Sequence, residues 1–163
     1  MKTIILFRHG KSDWNADYGQ DHERPLAPRG IKAAGAMGKW LRDTGQIPDH
    51  HVSSSAVRAR TTLQLAKEAG AWGGETHIVP ALYESSVADY IEVARQTPDT
   101  ADSVILTGHE PTSSGTTRAL SGGAIVRFPT ATMARIDVDI ASWKELGRYP
   151  GQLIWFMPPK FLG

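Results

Sequence analysis

The residues most able to do chemistry stand together near the start, in Arg8-His9-Gly10-Lys11-Ser12, directly after the apolar run Ile4-Ile5-Leu6-Phe7. That run reads as a short buried parallel strand bounded by a glycine. Ligands of open α/β sheets sit in the crevice beyond the carboxyl ends of the strands. An arginine and a histidine at such an end are placed where a ligand binds, and Gly10 lets the backbone turn and leaves space beside it. The same residues also fit a His–Arg pair on a surface turn. Two more stretches repeat the pattern. Arg58 follows the β-prone stretch around Val52, and His109 follows Val104-Ile105-Leu106-Thr107-Gly108. Three strand ends could therefore present Arg8 and His9, Arg58, and His109 to one crevice. Two guanidiniums and two imidazoles suit a dianion: the planar arginine fork matches phosphate oxygens in pairs. A neutral imidazole is a competent nucleophile, and a second can donate to a phosphoryl oxygen.

Arg8-His9-Gly10, the Ser54-to-Thr62 stretch around Arg58-Ala59, and Gly108-His109 resemble, in this order, the histidine phosphatase superfamily, also called phosphoglycerate-mutase-like. The resemblance spans roughly the whole chain. Arg24-Pro25-Leu26-Ala27-Pro28-Arg29-Gly30 is similar to the small SixA-type phosphohistidine phosphatase branch. The resemblance implies that His9 is the phosphorylated histidine, with Arg8, Arg58 and His109 as the phosphate pocket. Glu84 resembles the acid glutamate of the mutase branch by its spacing after Arg58, and otherwise reads as a solvated loop carboxylate. Asn15 matches an asparagine that helps hold phosphate in that branch, and otherwise reads as a turn residue.

The elements that must position these residues alternate. A strand over Thr3–Phe7 leads into a long polar loop, Lys11–Leu26, too long to be a mere connection. A helix is predicted from Arg29 to Thr44, with Pro28 at its start, Gly45 as its stop, and a packing face of Ile31, Ala34, Gly38 and Leu41. A strand near Val52 precedes a helix over Ala56–Ala69, ended by Gly70. Ile78–Leu82 is a further strand candidate. A helix capped by Ser85 or Ser86 runs to Gln96, with Pro98 stopping it. Val104–Thr107 reads as a central strand and Pro111–Leu120 as a poor helix former. Met133–Ile140 and Gln152–Met157 read as an antiparallel pair at the sheet edge. The Pro158-Pro159 tail ends the structure. The expected fold is a three-layer α/β/α sandwich with a mostly parallel sheet and an antiparallel edge, of the phosphoglycerate mutase-like kind, as a single domain over 1–163.

Composition narrows the chemistry. The chain has 163 residues, 40% apolar and 21% charged, which suits one folded core rather than disorder. A net charge of +1 gives no case for nucleic acid or an anionic membrane. With no cysteine, disulfides, thiolate nucleophiles and cysteine zinc sites are all excluded. The amino terminus lacks a signal-type apolar region, and no run approaches a membrane span, so a cytoplasmic enzyme is expected. There is no Walker loop, zinc helix, nucleophile elbow or dinucleotide fingerprint. No cofactor and no metal are expected, since the two arginines would neutralise the phosphoryl oxygens.

Remaining polar residues have plainer readings. Lys11 and Ser12 could line the rim. Arg60, two residues from Arg58, should face solvent, and Thr62 should pack or support. His22 could reach the pocket. His50 and His51 read as loop residues, His77 as structural, and Asp137 and Asp139 as solvated. Trp14 and Tyr18 could wall a pocket or anchor the first loop. Three functions stay open: a phosphatase acting on phosphohistidine in a partner protein, a phosphatase or mutase acting on a small phosphate ester, and a non-catalytic phosphate-binding module. The stretch from Glu84 to Val104 holds one short helix and no long insertion for a lid, which suits a phosphate carried on a protein.

Overall fold

The computed structural model describes residues 1–163. Six strands form one sheet: β1 (Lys2–Arg8), β2 (His50–Ser53), β3 (Thr76–Ile78), β4 (Ser103–Gly108), β5 (Met133–Val138) and β6 (Gln152–Met157). Four α-helices accompany them: α1 (Pro28–Asp43), α2 (Val57–Gly70), α3 (Val87–Arg95) and α4 (Thr112–Leu120). The strand order is β3-β2-β4-β1-β5-β6. The four strands from β3 to β1 run parallel, and β5 and β6 complete the sheet antiparallel, as expected.

Alternation in the strands builds the two flanking layers, because successive side chains point to opposite faces. Ile4, Leu6, Val104 and Leu106 join Tyr90, Ala94 and Leu120 of α3 and α4 in one buried cluster. Ile5, Phe7 and Ile105 join Met37 and Leu41 of α1 and Leu63 and Ala66 of α2 in the other. Both faces of the central strands are thus apolar, which is why their sequences read as continuous hydrophobic runs.

Register sets the strand ends level. Arg8 pairs with Gly108 and Phe7 with Thr107, while Ser53 pairs with Thr107 from the other side. Beyond the sheet the alignment continues: His9 N–H donates to Gly108 O at 3.0 Å and Ser54 N–H to Thr107 O at 2.9 Å. The residues that follow β1, β2 and β4 therefore emerge side by side.

Several expectations are corrected. The packing face of α1 is Gly30, Ala34, Met37, Gly38 and Leu41, while Ile31 is exposed. The left-handed residue that ends α2 is Ala71, at φ 54°, not Gly70. The Ile78–Leu82 segment is not one strand: β3 ends at Ile78, and Pro80–Leu82 forms a 3-10 turn, because Pro80 has no N–H for a ladder. His50 and His51 lie in β2, where His51 is buried and its ring bonds Pro48 O. Asp137 is ion-paired with Arg135 and accepts from Thr3 Oγ1. The tail continues into a 3-10 turn over Pro159–Leu162. No helix is long and apolar enough to cross a membrane.

Candidate active site

The level strand ends enclose a pocket of about 400 Å³. Arg8, His9, Arg58, His109 and Glu84 all line it, with Lys11, Ser12, Trp14, Asp21, Arg24, Tyr83 and Glu110 among the other walls. The first four were the strand-end residues singled out from sequence. Asn15 is not brought in: it is exposed, and its N–H closes a turn onto Asp13 Oδ1 at 2.9 Å. An Asp two residues before an Asn is itself a turn signal. His22 lies outside the lining, bonded to Ser55 Oγ at 2.9 Å and edge-on to Tyr83.

His9 is fixed by its own backbone. Its Nδ1 lies 2.7 Å from Gly10 O, an oxygen that only accepts. The ring proton therefore sits on Nδ1, and Nε2 carries a free lone pair. Burial first, and then the charges of His109, Arg58 and Arg8, push the His9 pKa down to about 3, against the opposing pull of the Gly10 carbonyl. The imidazole is thus neutral at physiological pH. Gly10 is held in turn: its N–H donates to Thr62 Oγ1 at 2.9 Å, and that hydroxyl donates to Arg58 O at 2.7 Å. Thr62 supports both halves of the site, as its place one turn after Arg58 suggested. A side chain at Gly10 would not fit, since a Cβ there would lie 2.8 Å from Gly30 O.

His109 sits 5.3 Å from His9, ring centre to ring centre. Its backbone N–H donates to the buried Tyr90 hydroxyl at 2.8 Å, and its Nε2 lies 2.9 Å from Ser54 Oγ. Ser54 Oγ already accepts from Ala56 N–H at 3.2 Å, so its own proton is free for that nitrogen. Burial, followed by the Arg58 charge, lowers the His109 pKa to about 4.

The guanidiniums are anchored at their tips and unmatched at their necks. Arg8 Nη1 donates to Phe128 O at 2.7 Å. Arg58 Nη1 and Nη2 reach Asp21 O at 2.8 Å and Asp21 Oδ2 at 3.0 Å. Nε of both arginines is buried without an acceptor in the chain. Both arginines line the pocket, and two fixed cations there suit an anion.

Asp21 and Tyr83 were not singled out from the sequence, and Arg24 only as the start of the SixA-like stretch. Asp21 bonds Arg58, Arg24 and the Tyr83 hydroxyl, the last at 2.8 Å. Burial opposes ionisation, but the bonds from Tyr83, Arg24 and Arg58 outweigh it and hold the Asp21 carboxyl at about 2. Tyr83 moves the opposite way, to about 12, through burial and its bond to that carboxylate. Arg24 is buried, donates to Ser12 Oγ at 2.9 Å and lies 3.6 Å above the Trp14 ring. These contacts fold the long first loop against the site, with Trp14 serving it as both anchor and wall. Arg24 and Asp21 are three residues apart, the one local signal of their pairing. The partner Tyr83 comes from a distant turn and leaves no such signal. Glu84 stands at the exposed rim in a left-handed backbone, φ 49°. No group of three or more His, Cys, Asp or Glu side chains is arranged to hold a metal.

Fold and pocket together make an α/β protein built to receive a tetrahedral oxyanion at the carboxyl edge of its sheet. The model of the histidine phosphatase superfamily, branch 1, matches residues 4–110, and the chain belongs to that superfamily. An uncharacterized protein of Mycobacterium tuberculosis H37Rv is 34% identical over 94% of this chain and 99% of its own length. A solved SixA from Agrobacterium tumefaciens, assigned as a phosphohistidine phosphatase, superposes with a TM-score of 0.82 at 29% identity, covering 97% of this chain and 98% of that one. The protein histidine phosphatase SixA complexed with tungstate superposes with a TM-score of 0.85 at 22% identity, covering 99% of both chains.

Proposed function

We propose that this chain is a metal-independent phosphatase that passes the phosphoryl group through His9 and acts on phosphohistidine in a partner protein. The observation that carries the reading is the state of His9: neutral, with its proton on Nδ1 and the Nε2 lone pair free among two arginines and a second histidine.

In the first step, Nε2 of His9 attacks phosphorus as the bond from phosphorus to the substrate imidazole nitrogen breaks. That imidazole leaves with the bonding pair and takes a proton from solvent. In the second step, water attacks the phosphorus of phosphorylated His9, releasing inorganic phosphate and the free imidazole. Catalysis of both steps is positioning and charge neutralisation. The fixed guanidiniums of Arg8 and Arg58 neutralise the charge on the equatorial oxygens. His109 supplies a hydrogen bond from the pocket wall. The cation set does what a divalent metal does in other phosphoryl-transfer sites.

Three observations support a phosphate carried on a protein. The segment after Glu84 is a nine-residue helix, α3, with no insertion to roof the pocket. Glu84, the rim carboxylate with the spacing of an acid glutamate, is exposed, and an imidazole makes less demand for such an acid than an alkoxide. The Agrobacterium relative, for which phosphohistidine phosphatase is a proposed assignment, aligns over nearly the whole chain. The test compares turnover of a phosphohistidine protein, phosphoglycerate and an aryl phosphate, each with EDTA. The phosphohistidine protein should be the best substrate, with no loss in EDTA. Preference for phosphoglycerate, or activity restored only by adding a divalent ion, contradicts the reading.

A further inference from the structure

A second cavity, of about 430 Å³, adjoins the catalytic pocket and shares Lys11 and Thr130 with it. Its charged side chains are Lys11, Arg29, Lys32 and Lys160, and the one carboxylate in the lining is the backbone carboxylate of Gly163. None of these four cations takes part in the chain's ion pairs. The whole chain has 18 basic and 17 acidic residues, so four unpaired cations around one cleft are a local segregation, not a reflection of bulk charge. Arg29 and Lys32 lie in the first turns of α1, which carries no acidic residue in its first turn. Basic side chains there stand against the helix dipole as well as against one another. Such an arrangement is relieved by an anionic partner.

We propose that this cleft receives an acidic segment of the phosphoprotein substrate, lying beside the phosphohistidine held at His9. The proposal rests on the function proposed above and adds the feature that selects among phosphoproteins. The anchoring differs from that of the phosphoryl site. Arg8 and Arg58 are tied at their tips, which fixes them for one tetrahedral anion. In the cleft the floor is Ala33, Ala36, Pro129 and Pro158, and Arg29, Lys32 and Lys160 are exposed. Exposed, mobile cations over a smooth floor suit several carboxylates on an extended chain rather than a second phosphate in one geometry. Their contribution is water-screened, so it falls with salt and appears in capture rather than in chemistry.

The test uses two synthetic peptides with one phosphohistidine, flanked on both sides by glutamates or by glutamines, and phosphoramidate as a small substrate without flanks. The wild-type chain should favour the glutamate peptide by about ten-fold in kcat/KM, through KM, and lose that preference as salt rises. The double variant Arg29→Glu/Lys32→Glu should abolish or invert the preference while turning over phosphoramidate at the wild-type rate. Glutamates in the first turns favour the helix, and Arg29→Gln/Lys32→Gln, which only removes charge, should lose the preference too. Equal turnover of both peptides overturns the cleft proposal and leaves the phosphohistidine reading standing. Loss of phosphoramidate turnover in the glutamine variant makes the two residues structural and overturns it as well. Turnover of an aryl phosphate with neither peptide cleaved defeats the phosphohistidine reading, and the cleft proposal with it.

Discussion

Asp21 fills the tips of the Arg58 guanidinium, its carboxylate 3.0 Å from Nη2 and its backbone oxygen 2.8 Å from Nη1. The grip leaves Nε of Arg58 as the donor without a partner. Asp21 is therefore placed to fix the Arg58 guanidinium at the pocket wall. Asp21→Ala should lower kcat/KM for every substrate by about 10- to 100-fold, because a misaimed donor loses most of its effect. Asp21→Asn keeps an acceptor oxygen and should recover part of the loss. Steady-state rates on two unlike substrates check this. Unchanged rates in Asp21→Ala would mean that Arg58 is held by its burial alone.

The arginines themselves should tolerate no exchange. Arg58→Lys and Arg8→Lys keep charge but lose the fixed fork, so each should cost about 100-fold or more in kcat/KM. Arg60, exposed on the opposite side of α2, should accept lysine with little effect. Rates for the three variants, with thermal melts as control, decide the matter. Equal damage at Arg60 would contradict the placement of the helix face.

Acid should weaken the fold through the same histidines that serve the site. An unfolded histidine binds a proton near pH ~6.5. Folded His9 holds out to about 3 and His109 to about 4. In that interval the unfolded chain carries more protons, so stability falls as the pH drops from about 6.5 and is fully regained above it. Asp21, held at about 2, adds an acid loss of the same sign at lower pH, as the unfolded carboxyl protonates first. Thermal melts against pH should show the His9→Gln variant with a flatter curve than wild type between about pH 4 and 6.5. Nitrogen NMR of the ring should find His9 neutral with its proton on Nδ1 throughout. Parallel curves, or a ring titrating near its free value, would contradict the buried neutral imidazole.

The quartet Arg8, His9, Arg58 and His109 was legible because each residue follows an apolar strand by one or a few positions. The rule that ligands gather at carboxyl ends then joins three distant segments without any contact information. Neutrality of His9 was also foreseeable from two nearby arginines, but the tautomer was not, since it depends on the carbonyl of Gly10. The Asp21–Arg24–Tyr83 network stayed hidden because it is made by a loop folding back, with partners that share no periodicity. Asn15 lies outside the pocket lining: its match to a phosphate-holding position is local, and its own N–H closes a turn onto Asp13. The Ile78–Leu82 segment failed for a simpler reason, the proline at 80, which was present in the sequence but outweighed by the apolar neighbours.

Glu84 should separate leaving groups. It stands at the rim in a left-handed backbone, an unusual conformation for a side chain to be held in and one common at functional turns. Glu84→Gln should barely slow a phosphohistidine substrate. An alkyl phosphate should lose the most, toward the ~100-fold scale of a positioned acid, and an aryl phosphate should fall between. One variant on three substrates gives the answer. Equal losses on all three would assign Glu84 to structure alone.

The central claim is that Nε2 of His9 carries the phosphoryl group. The direct measurement is to mix the enzyme with a labelled phosphoryl donor, quench in alkali within the turnover time, and map the adduct by mass spectrometry and phosphorus NMR. The label should reside on Nε2 of His9, be lost in acid, and be absent from His9→Ala, whose turnover should fall by several orders of magnitude. Label on a serine or an aspartate, or normal turnover by His9→Ala, would contradict the account.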